Sequence, residues 1–122
     1  MTNSGNSKSY DLEERTAKFG GNVVSFCKTI TLDTINKPII VQLIRSATSI
    51  GANYLEANGA SSKKDFANKI FICKKESQET RHWLRMFLVC QDDKKAVIKS
   101  LTQEASELSM IFNKITQTLR SK

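Results

Sequence analysis

Apolar side chains recur along this chain every three or four positions in four separate stretches, and a period-two alternation is sustained nowhere. At about 100° per residue, such spacing places them on one face of a helix. The first stripe comprises Leu12, Thr16, Phe19, Val23, Phe26, Cys27 and Ile30. Asp11 fits its N-cap, and Glu13 and Glu14 suit the positive end of the helix dipole. Gly20 and Gly21 weaken it locally, by about 1 kcal/mol each where solvent reaches them. The polar run from Thr31 to Asn36 ends it.

A second helix is predicted to open on Asn36 as N-cap, with Pro38 in its first turn, where the missing N–H costs little. Its buried row is Ile39, Ile40, Leu43, Ile44, Ala47, Ile50, Gly51 and Tyr54. Ala47 and Gly51 are small and four apart, so a neighbouring helix can approach closely there. Asn58-Gly59 suits a left-handed stop.

Ser62-Lys63-Lys64-Asp65 reads as a capping box for a third helix reaching about Cys90. Its core side carries Phe66, Ile70, Cys73, Ser77, Thr80, Leu84, Phe87 and Leu88. Gln91-Asp92-Asp93 forms a short loop and supplies the next N-cap. The fourth stripe is Val97, Leu101, Ala105, Leu108, Phe112, Ile115 and Leu119. Long helices joined by short loops predict an all-α fold, an antiparallel up-down-up-down four-helix bundle over residues 11–120. Residues 1–10, MTNSGNSKSY, read as a disordered lead-in without the apolar stretch of a signal peptide.

Composition narrows the setting. One Pro and five Gly in 122 residues leave long elements uninterrupted. No apolar run approaches the roughly 20 residues a bilayer requires, so no membrane association is expected. Three widely spaced cysteines, Cys27, Cys73 and Cys90, form neither a disulfide framework nor a zinc motif and fit a reducing cytoplasm.

Charge adds a candidate surface. The net charge is +7, and residues 60–90 hold seven basic against three acidic side chains, which is +4 of that excess. On a wheel with Lys63 at 0°, Lys74, Arg81 and Arg85 fall within about 40° of it, and Lys64 and Lys75 extend the sector to about 120°. Phe71 and His82 lie inside this sector. Glu76, Glu79 and Asp65 cluster elsewhere, near 160° to 220°. Phosphates could follow such a stripe, making Lys63, Lys64, Lys74, Lys75, Arg81 and Arg85 candidate contacts to RNA or DNA. An ordinary solvated helix face explains the same stripe, and no sequence-reading motif accompanies it.

A second row on this helix, Ile72, Trp83, Met86 and Cys90, sits near 140° to 200°, off the core sector at about 290°. A bundle helix in a monomer buries one stripe, so a Trp-containing second row points to a subunit contact. Val24 and Met110 also lie off their core stripes.

Catalytic and metal patterns are lacking. His82 is the single histidine, with no carboxylate or cysteine at ligand spacing. Glu76 and Glu79 are three apart but have no matching histidine, and fit a salt-bridging pair. Arg45, Ser49 and Glu56 share one sector of the second helix and are placed to bond neighbouring helices or subunits. No glycine-rich phosphate loop, nucleophile triad or cofactor fingerprint is present. The expectation is a protein that is not an enzyme and has neither cofactor nor metal.

The second and third helices carry a more specific pattern. Arg45, Ser46, Ala47, Ser49, Ile50, Ala52 and Asn53, followed by Glu56, then Lys64-Asp65-Phe66, then Glu76 and Glu79 ahead of Trp83-Leu84, occur in a fixed order. This order resembles the four-helix bundle family of proteins encoded in intervening sequences of 23S ribosomal RNA genes. The likeness runs from Tyr10 to about Leu119 and is weakest in the last helix. It departs at Ala57, where a glycine is usual, with Gly59 two positions later. The resemblance implies an up-down bundle assembled as a homo-oligomeric ring, a homopentamer. One related branch, the accessory proteins of diversity-generating retroelements, binds a reverse transcriptase and nucleic acid. Most members have no established activity.

Two functions follow as expectations. One is a homo-oligomeric bundle binding RNA or another nucleic acid through the basic face of the third helix. The other is a protein-interaction scaffold docking on a partner such as a reverse transcriptase, with the charge serving solubility.

Overall fold

The computed structural model describes residues 8–121. Among these there are four α-helices and no strand: α1 (Lys8–Cys27), α2 (Asn36–Asn58), α3 (Lys63–Cys90) and α4 (Lys95–Arg120). A 3-10 turn, Asp92–Lys94, leads into α4. The short connections make consecutive helices antiparallel neighbours. α2 packs extensively on α3, α3 on α4 and α1 on α2, whereas α1 and α4 meet only lightly.

The core follows the stripes closely. Every residue of the first stripe is buried, including Ile30, which lies beyond the end of α1 in a turn closed by its N–H bonding the Cys27 carbonyl. Leu43, Ala47, Ile50 and Tyr54 of α2 meet Ile70, Cys73, Leu84 and Phe87 of α3. The α4 stripe needs one correction. Val97 is exposed, and Ile98, one residue on, is buried in its place. A one-residue step rotates a helix position by about 100°, which moves it from core to solvent.

Two aromatic pairs cross the bundle on its diagonals. Phe26 of α1 meets Phe87 of α3 edge-on, with centroids 5.7 Å apart, and Tyr54 of α2 meets Phe112 of α4 at 6.1 Å. The first pair lies near the C-terminal ends of α1 and α3, the second toward the opposite end. Each end of the core is therefore tied across its longer dimension by an aromatic contact.

The α1–α2 seam is built from small residues, as the Ala47/Gly51 spacing predicts. Gly51 lies against Thr16, and Gly20 lies against Ala47 and Thr48. Gly20 thus brings two helices together as well as weakening one. The α2–α3 interface contains a polar contact in its buried part, where the Thr80 hydroxyl donates to Ser46 Oγ at 3.0 Å.

Several helix ends differ from expectation. α1 is already helical at Lys8, so Asp11 lies inside it and is not its N-cap. Residues 1–7 of the expected lead-in lie outside the described residues, and Lys8–Tyr10 are part of α1. Asn36 is the first residue of α2, preceded by Ile35 at the N-cap position, and is not the N-cap. Asp33 Oδ1 accepts from the N–H groups of Ile35 and Asn36 at 2.8 and 2.7 Å, while Asn36 Oδ1 accepts from the Asp33 N–H at 2.9 Å. This is a reciprocal capping box with Asn36 as its far, buried member. Gly59 ends α2 at φ −98°, so the expected left-handed stop is absent. Ser62 does cap α3, its Oγ accepting from the Asp65 N–H at 3.0 Å. Asp92 and Asp93 make no side-chain cap to α4 because the 3-10 turn intervenes.

Candidate nucleic-acid interface

The basic sector of α3 meets α4 along an open cleft of about 640 Å³. The α3 wall presents Gln78, Arg81, His82 and Arg85, which are exposed. The α4 wall presents Lys95 and Lys99, with Thr102 and Gln103 further along. Leu84, Leu88 and Ile98 lie beneath them. Arg81/Arg85 and Lys95/Lys99 are each four apart, so each pair is stacked about 6 Å along its helix. Four cations thus line the two walls, and no carboxylate lines the cleft.

These cations are uncommitted. Ion pairs among the described residues occur elsewhere: Arg15 with Glu104 and Glu107, Arg45 with Glu76 and Glu79, and Lys69 with Glu56. Glu76 and Glu79 of α3 and Glu104 and Glu107 of α4 are therefore engaged on other faces by Arg45 of α2 and Arg15 of α1. Glu76 and Glu79 form the expected salt-bridging pair. Arg45 donates to Glu79 at 2.6 Å and to both oxygens of Glu76 at 3.3 Å. Burial lowers the Arg45 pKa, but the two carboxylates outweigh it and hold the guanidinium above its ordinary value. Glu56 reaches Lys69 across the α2–α3 seam, whereas Ser49 donates only to the Arg45 carbonyl of its own helix.

The six candidate phosphate contacts separate in space. Arg81 and Arg85 line the cleft. Lys74 is half-buried, about 10 Å along the axis from Arg81 on nearly the same line. Lys75 is exposed on the flank. Lys63 and Lys64 are exposed at the start of α3, about 27 Å from Arg81, and are not part of the cleft. Lys95 and Lys99 escaped the sequence reading because charge was taken one helix at a time. The signal was available: Lys95, Lys99, Thr102 and Ser106 fall on one face beside Ile98, and the short connection makes α4 the partner of α3.

The four candidate interface residues, Ile72, Trp83, Met86 and Cys90, are half-buried. Trp83 and Cys90 pack against the core. His82 meets the Trp83 ring edge-on, with centroids 4.9 Å apart. The exposed large apolar side chains on α3 are instead Phe71 and Val89. Burial pushes the Cys27 and Cys73 thiols up, to about 11 and about 12. Among the described residues no cluster of His, Cys, Asp or Glu is placed to hold a metal ion. No described helix is long and apolar enough to cross a membrane.

Fold and cleft together define a basic, all-α four-helix bundle protein. The chain belongs to the 23S rRNA-intervening sequence protein family, whose profile matches residues 9–114. It is also similar to a solved structure, a protein of unknown function from the S23 ribosomal protein family of Bacteroides thetaiotaomicron. The two are 28% identical with a TM-score of 0.82, over 91% of this chain and 99% of that one. No curated protein matches the chain.

Proposed function

We propose that this chain is a non-enzymatic, self-associating bundle protein of the cytoplasm that binds RNA or another nucleic acid along the α3–α4 cleft. The observation that carries this reading is the set Arg81, Arg85, Lys95 and Lys99 on facing walls with no carboxylate between them. Cations held at fixed spacing on two rigid helices attract a phosphate backbone and release its counterions, without reading sequence. Assembly into a ring, which the family resemblance implies, would repeat the cleft in each subunit and raise avidity.

Reversal of charge in the cleft tests the reading. Retention of labelled RNA at low salt is expected to be lost in Arg81→Glu/Lys99→Glu, and the salt dependence of residual binding should flatten. Lys63→Glu/Lys64→Glu, away from the cleft, should have the smaller effect. Unchanged RNA retention in the cleft variant overturns the proposal.

A second cleft favours the scaffold reading. Between α1 and α2, Ala17, Gly21, Val24, Ala52 and Leu55 line an open groove, with Glu13, Glu14 and Lys28 as its charged lining. A protein partner docking there would leave the basic cleft to serve solubility. Such binding would survive nuclease treatment and be lost in Gly21→Glu.

A further inference from the structure

We infer that the strand taken by the α3–α4 cleft is single-stranded, with unpaired bases stacked on Phe71 and His82. The inference rests on the nucleic-acid reading above and specifies the form of its ligand. The face of α3 that carries Arg81 and Arg85 also carries these two rings, eleven residues apart and about 20° apart around the axis. Both are exposed, Phe71 at 52%. An exposed Phe on a small bundle leaves a large apolar ring in water, and this one stands one turn from Lys74 and Lys75. No carboxylate lies one turn from Phe71, where Ala67, Asn68, Lys74 and Lys75 stand, and Glu79, one turn before His82, is paired with Arg45 of α2.

Cations alternating with exposed rings match the chemistry of a single strand. Phosphates track the charge while each base offers its flat face to an aromatic side chain or a guanidinium. A duplex hides its base faces inside the stack and presents phosphates alone. It would sit on the rims of the cleft and offer no base face to Phe71, which stands beyond the cleft lining, or to the His82 ring, which meets Trp83 only edge-on. Charge alone predicts the reverse preference, because the duplex carries phosphate at higher density and releases more counterions per contact. Strand preference therefore separates stacking from simple attraction.

The test uses the full chain and fluorescence anisotropy with a labelled 12-nucleotide mixed-sequence RNA, alone and annealed to its complement. The single strand is expected to bind at least tenfold tighter than the duplex at moderate salt. Phe71→Ala and His82→Ala, both at exposed positions, should each weaken single-strand binding several-fold, and Phe71→Ala, outside the cleft lining, should leave duplex binding unchanged. Circular dichroism confirms that the helices are intact in each variant. Equal or tighter duplex binding overturns the inference while leaving nucleic-acid binding in place, as does single-strand binding unaffected by both variants. Failure of either form to bind at low salt overturns the underlying reading as well.

Discussion

Gly51 on α2 lies so close to Thr16 on α1 that a methyl group added there would sit 3.3 Å from the threonine hydroxyl. Gly21, on the outer side of α1, has nothing within 4 Å of the same added atom. The two glycines should respond in opposite ways to substitution. Gly21→Ala should stabilise the protein by about 1 kcal/mol through helix propensity alone. Gly51→Leu should destabilise it by about 1–3 kcal/mol, because the seam must open to admit the side chain. Urea denaturation of the two variants checks both signs.

Arg15 closes the light α1–α4 seam. Its Nε and terminal nitrogen donate to both oxygens of Glu104 at 2.7 and 2.8 Å, and Glu107 accepts from the same guanidinium at 2.7 Å. Glu104 is the main cause of the raised Arg15 pKa. The carboxyl of Glu107 is held below its ordinary value by the Gln103 amide and then by Arg15. A lowered folded pKa contributes stability that is present above the ordinary value of 4.5 and is lost as pH falls through the lowered one. Arg15→Ala should cost about 1 kcal/mol at neutral pH. The deficit relative to the native chain should shrink below pH 4.5 as the Glu107 carboxyl protonates. Thermal melts at pH 7 and pH 3 measure the difference.

Asp33 ties the entry of α2 with two hydrogen bonds accepted by its carboxylate and one donated by its N–H to Asn36 Oδ1. Asp33→Ala should destabilise the protein by about 1–2 kcal/mol, the range of a lost N-cap. Asn36→Ala should cost at least as much, since Asn36 is buried and also donates to the Thr31 carbonyl at 3.1 Å. Chemical denaturation with unchanged m-values would place the effect in stability.

The thiols offer a test of burial. Cys27 and Cys73 are buried, with pKa values pushed up to about 11 and about 12, so they remain protonated thiols at pH 8. A thiol-reactive dye should label at most Cys90 rapidly in the folded protein, and all three cysteines after denaturation. Rapid labelling of two or three in the native state would contradict the packing.

The helices and most of their core faces were legible because the apolar spacing is regular and few breakers interrupt it. Where two adjacent apolar residues compete, the pattern does not choose. Val97 and Ile98 illustrate this, since their order of burial is decided by how α4 turns against α3. The capping box at Asp33–Asn36 was readable as an acceptor pair three apart, but Pro38 drew attention to Asn36 as the start. Half of the cleft was legible in the charge of α3. Its other half required two helices to be laid side by side, because Lys95 and Lys99 become a site only opposite Arg81 and Arg85.

The unequal seams carry a dynamic consequence. α1 is held chiefly by α2, and its contact with α4 is slight apart from the Arg15 cluster. The least costly partial opening of the molecule therefore releases α1 from the remaining three helices. Amide hydrogens of α1 should exchange with solvent ahead of those in α3, which packs extensively on both α2 and α4. The α3–α4 cleft belongs to the part that stays closed, so a bound strand would slow global unfolding more than it slows the fraying of α1.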